Sequence, residues 1–69
     1  MAYKLTPLGT VLATKTLRSD SPENAIIIYL YEHPDPTEVE ELVGELHSDE
    51  SVILRVLNRL VNTGYVKEL

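Results

Sequence analysis

The sequence predicts a mainly α-helical α+β domain, with four helices and a small two-stranded antiparallel sheet formed by the chain ends. Three observations carry that reading. Residues 37–48 and 49–62 each place apolar side chains at i, i+3, i+4 and i+7, the spacing of two amphipathic helices, with a tight turn between them. Gly64 then stops the second of these, and residues 65–69 alternate as a half-buried strand does. Residues 25–31 are apolar all round, which fits a central helix covered on every side.

In chain order, residues 1–18 read as a strand followed by a helix. Tyr3-Lys4-Leu5-Thr6 alternates large and polar residues. Thr6-Pro7 is a helix start, because the threonine offers a capping oxygen and proline at the first helical position gives up an N–H that has no partner there. Leu8, Val11 and Leu12 then share one helical face, in a helix running to about Leu17 and weakened by Gly9 and several threonines. A short polar connection, Ser19-Asp20-Ser21, leads to the central helix at residues 21–33. There Ser21-Pro22-Glu23 repeats the start signal and adds a carboxylate at the positive end of the helix dipole. A buried strand is the alternative for Ile26-Ile27-Ile28-Tyr29-Leu30-Tyr31, which is rich in β-formers; the cap and proline before it favour helix. His33-Pro34-Asp35-Pro36 ends the element.

Residues 37–63 form the helix pair. Thr37 and Glu40 have the spacing of a capping box, and Val39, Leu42, Val43 and Leu46 make the apolar stripe of a helix with an acidic outer face. His47 falls in the turn, where left-handed backbone angles are tolerable for histidine. Ser48 is the next cap, and Ile53, Val56, Leu57 and Leu60 are the core stripe of the fourth helix. Residues 64–69 are the closing strand.

With 69 residues the chain makes one domain, residues 1–69, and 43% hydrophobic content gives a small core of marginal stability. No cysteine is present, so disulfide and thiolate-metal scaffolds are excluded, in keeping with a reducing, intracellular setting. No apolar run is long enough for a membrane span and the first residues do not form a signal peptide; the expectation is a soluble, cytoplasmic protein without a membrane partner. The net charge of −5 is unevenly spread. Residues 1–20 carry +2, residues 21–50 carry −9 with no Lys or Arg, and residues 51–69 carry +2. An acidic middle repels phosphate, so a nucleic-acid surface has to be built from the two ends.

Two helices joined by a short turn, the second ending Leu60-x-x-x-Gly64-Tyr65-Val66, resemble the winged helix-turn-helix domains of bacterial and archaeal transcription regulators. The resemblance covers roughly residues 22–69. It implies that residues 48–62 are a recognition helix lying in the DNA major groove, and that the strand after it belongs to a β-wing. Tyr3-Lys4-Leu5-Thr6-Pro7-Leu8-Gly9 looks like the returning wing strand and closing helix of that family, placed here before the helix pair rather than after it. On that reading residues 3–6 pair antiparallel with residues 65–69, making a two-stranded wing. The plain alternative is an amino-terminal strand and helix of common type.

The expected function is a small DNA-binding regulator acting as a homodimer on double-stranded DNA. The expected contacts are Ser51, Arg55, Asn58, Arg59, Asn62 and Lys67, with help from Lys4, Lys15 and Arg18. Two features depart from the family. Val52 and Leu54 stand where small polar or basic groups are usual, and neither donates a hydrogen bond to a base edge. Asp49 and Glu50 occupy the helix end that normally meets phosphate. The alternative function is therefore a winged-helix module that binds protein through Val52, Leu54 and Val61 and the acidic third helix. Arg55 and Arg59 serve either DNA or salt bridges to Glu38, Glu41 and Glu45. Enzyme chemistry has little support: His33 and His47 show no metal-ligand spacing, and phosphate-loop and nucleophile motifs are missing, so no cofactor or metal is expected. Tyr29, Tyr31 and Tyr65 read as core.

Overall fold

The computed structural model describes residues 2–15 and 21–69. Its elements in chain order are β1 (Ala2–Leu5), α1 (Pro7–Lys15), α2 (Pro22–Glu32), β2 (Thr37–Glu38), α3 (Val39–Leu46), α4 (Glu50–Asn62) and β3 (Val66–Glu68). The expected end of the first helix near Leu17 and the connection at Ser19-Asp20 lie outside the described residues, as does Arg18.

The sheet has three strands, not two, in the order β2-β1-β3, all antiparallel. β1 pairs with β3 in the register Tyr3↔Glu68, Lys4↔Lys67 and Leu5↔Val66, and the Leu69 N–H donates to the Ala2 carbonyl at 2.8 Å. On its other side β1 takes up Thr37 and Glu38, opposite Tyr3 and Ala2. This third strand corrects the expected capping box. Thr37 is buried and extended, its hydroxyl donates to the Asp35 carbonyl at 3.2 Å, and α3 starts at Val39 with Glu38 in the cap position but without a side-chain capping bond. Pro36 enters this stretch with its φ restricted, and the open edge of β1 offers hydrogen bonds that a lone helix start cannot match.

The other start and stop signals fare better. Thr6 Oγ1 accepts from the Gly9 N–H at 3.1 Å, and Ser21 Oγ from the Asn24 N–H at 3.2 Å. His47 ends α3 in the left-handed region, at φ 53° and ψ 41°. Ser48, however, is not the cap of α4. That place belongs to Asp49, and the Ser48 hydroxyl turns back to the Leu46 carbonyl at 3.4 Å. At the far end of α4 the Tyr65 N–H donates to the Leu60 carbonyl at 3.0 Å and the Gly64 N–H to Val61 at 3.1 Å. This paired closure needs a left-handed residue, and Gly64 supplies it at φ +87°.

α2 is the central helix. It packs against α1, α3, α4 and β1, and contributes Ile26, Ile27 and Leu30 to the core. Leu42 from α3, Ile53, Leu57 and Leu60 from α4, Tyr3 from β1 and Val66 from β3 close around it. Tyr29 and Tyr65 are half-buried against this core, whereas Tyr31, expected inside, is 48% exposed. α1 also departs from expectation. It turns Gly9 and Ala13 inward and leaves Leu8 and Val11 each 53% exposed. The small face wins because α1 lies directly on the backbone at Tyr65, where a Cβ on residue 9 would fall 2.0 Å from the carbonyl oxygen.

Candidate nucleic-acid interface

α4 is an amphipathic helix whose buried line is Ile53, Leu57 and Leu60. At about 100° per residue, Ser51, Arg55, Asn58 and Asn62 fall opposite that line, and Arg59 lies at the margin of the same arc. All five side chains are exposed. From Ser51 to Asn62 the face runs about 16 Å along the helix axis. The sequence-predicted contacts on α4 are thus gathered on one open polar surface.

The apolar residues Val52, Leu54 and Val61 do not stand on that surface. Leu54 and Val61 are half-buried against the core on one flank of α4. Val52 is half-buried on the other flank, in a groove bounded by Pro22, Glu23, Arg55, Val56 and Arg59. Val52 and Leu54 therefore face different neighbours. Asp49 and Glu50 remain exposed at the start of α4.

The two arginines differ. Arg59 Nη1 donates to Glu23 Oε1 at 2.6 Å, bridging α4 to the first turn of α2. Among the described residues Arg55 makes no ion pair. Neither arginine meets Glu38, Glu41 or Glu45. Instead Glu41 accepts a hydrogen bond from the Tyr29 hydroxyl. Tyr29 also stacks on His33, with ring centroids 3.9 Å apart and planes 16° from parallel. The bond to Glu41 favours the neutral phenol and, with burial and the charges of Glu41 and Glu45, pushes the Tyr29 pKa up to about 12. Burial, and next the charge of Glu68 on the paired strand, raises that of Tyr3.

The second basic element comes from the sheet. Tyr3, Leu5 and Val66 point toward the core, so the intervening Lys4 and Lys67 leave from the opposite face, directly paired and exposed. Like charges facing each other across a strand pair are unfavourable, and a polyanion relieves them. The antiparallel pairing of β1 with β3 brings the two basic ends of the sequence together. Lys15 ends α1, exposed.

Glu23 as the partner of Arg59, and Lys4 as the partner of Lys67, escaped the sequence reading. Arg59 and Glu23 are 36 residues apart, and no local spacing links them. The lysine pair follows only once the register of β1 on β3 is known. Among the described residues no three His, Asp or Glu side chains converge on a metal position, and no helix is long and apolar enough to cross a membrane. Compared with known protein families, curated proteins and solved structures, the chain matches none.

Proposed function

We propose that this protein is a small winged helix-turn-helix domain that binds double-stranded DNA as a homodimer and acts in transcription regulation. The observation that carries the proposal is the uninterrupted polar face of α4. Ser51, Arg55, Asn58, Arg59 and Asn62 lie exposed together, while Val52, Leu54 and Val61 are drawn to the flanks. A helix of this kind fits the major groove, about 12 Å wide, where arginine reads guanine and asparagine reads adenine. In this reading α3, the turn at His47 and α4 are the helix-turn-helix, β3 is the outgoing wing strand and β1 the returning one, with Lys4 and Lys67 set toward phosphates. The role is one of binding, with no catalytic step.

A single chain neutralises few phosphates, so useful affinity calls for two copies. The outward apolar face of α1, Leu8 and Val11, supports such a pairing by leaving surface for a second copy to cover. Titration of a random-sequence duplex tests the proposal, with Arg55→Ala expected to weaken binding at least about fivefold. A folded dimer that does not bind duplex DNA contradicts it. The second reading, a protein-binding module without affinity for DNA, is favoured by the net charge of −5 and by the exposure of Leu8, Val11 and Tyr31.

A further inference from the structure

Glu23 stands on the first turn of α2, yet its carboxylate is spent across the groove on Arg59 at 2.6 Å. Both side chains are open to water, with 67% of Arg59 and 40% of Glu23 accessible. An exposed pair of this kind contributes little to stability. What it does determine is the state of Arg59. A guanidinium bonds carboxylate and phosphate oxygens with the same planar donors, so a carboxylate already seated there occupies the place of a phosphate. Arg55, one turn earlier on the same face, carries no such partner among the described residues.

We infer that Glu23 is an internal competitor of DNA phosphate for Arg59, an autoinhibitory contact that holds the recognition face one cation short until a phosphate displaces it. The inference rests on the DNA-binding reading of α4. It has two consequences. Affinity at low salt is lower than the count of exposed cations implies. The salt dependence of binding is also shallower, because breaking the Glu23–Arg59 pair becomes easier as salt rises, in opposition to phosphate contact.

The test is a double-mutant cycle on the full chain, comparing wild type, Glu23→Gln, Arg59→Gln and the double variant. Each is titrated into a fluorescent random-sequence duplex from about 50 to 200 mM salt, with far-UV circular dichroism recorded for every protein. E23Q is expected to tighten binding about two- to fivefold, and to steepen the slope of log K against log salt by up to about 0.9. In the R59Q background the same change is expected to have almost no effect. Equal tightening with and without Arg59 overturns the inference, since Glu23 would then be only a repelling charge near the DNA. Unchanged affinity of E23Q, beside a wild type that binds, overturns it as well. Absence of binding by all four folded proteins refutes the DNA reading itself, and the inference with it.

Discussion

Substituting Gly9 with alanine sets two effects of opposite sign against each other. Alanine is the better helix former by up to about 1 kcal/mol, and residue 9 lies inside α1. The new Cβ, however, would stand 2.0 Å from the Tyr65 carbonyl oxygen, 3.0 Å from its carbon and 2.8 Å from Leu5 Cδ2. Leu5 can rotate away, but the Tyr65 backbone cannot. It is tied to the Thr6 N–H at 3.0 Å and, through Gly64, to the end of α4. Overpacking of this kind costs about 1–3 kcal/mol. Displacing the carbonyl loses about 1 kcal/mol more with the Thr6 bond. The net loss for Gly9→Ala is then about 1–3 kcal/mol, a large share of the roughly 3–10 kcal/mol that holds a chain of this size together. Gly44 is the internal control, because a Cβ there meets nothing within 4 Å. Gly44→Ala is expected to stabilise by about 0.5–1 kcal/mol. Urea unfolding followed at 222 nm reads both, with an unchanged slope and midpoints moved in opposite directions. A Gly9→Ala protein as stable as wild type would refute the close seating of α1 on the start of β3, and with it the register that pairs Lys4 with Lys67.

Other consequences are as direct. Lys67→Glu replaces a repelling cross-strand pair by an attracting one, so it is expected to raise stability by a few tenths of a kcal/mol while weakening DNA binding and flattening its salt dependence; a melting curve and a duplex titration on the same sample show whether the two move apart. The Tyr29 pKa is raised from its ordinary 10.0 to about 12, so the folded state holds that proton more tightly than the unfolded chain. Its stabilising contribution is therefore complete below pH 10 and is lost as pH rises from about 10 to 12. Ultraviolet titration of tyrosinate is expected to show Tyr29 ionising late in wild type and earlier in Glu41→Gln. Val11→Glu places a charge on the outward face of α1 and is expected to yield a monomer by light scattering, with the far-UV spectrum unchanged.

The helical part of this fold is legible because its signals are local. Ser21 and Thr6 announce helix starts within three residues, and Gly64 closes α4 through bonds to carbonyls five residues before Tyr65 and three before Gly64. The polar arc of α4 follows from its period alone. β2 is illegible for the opposite reason. Thr37 to Glu40 fits a capping box, and nothing nearby tells that β1, some 35 residues away, has an edge waiting for Thr37. The inversion of α1 has the same origin. Leu8 and Val11 have the apolar character of core residues, but the close approach to Tyr65 admits only glycine at residue 9, and α1 turns Gly9 and Ala13 inward, with Leu12 half-buried against the core. In the candidate site, residue type and helical spacing point to Ser51, Arg55, Asn58, Arg59 and Asn62. The state of those residues, with Arg59 held by Glu23 and Val52 turned into the groove, depends on how α2 crosses α4.

The most direct test of the central claim is the affinity of wild-type protein for a random-sequence duplex between about 50 and 200 mM salt, with molecular mass measured in the same buffers. Arg55, Lys4 and Lys67, with Arg59 shared between phosphate and Glu23, predict measurable binding at low salt and a slope of log K against log salt of about −3 for each bound chain. A folded protein that shows no binding at about 50 mM salt, or binding indifferent to salt, would contradict the assignment of the outer face of α4 to DNA.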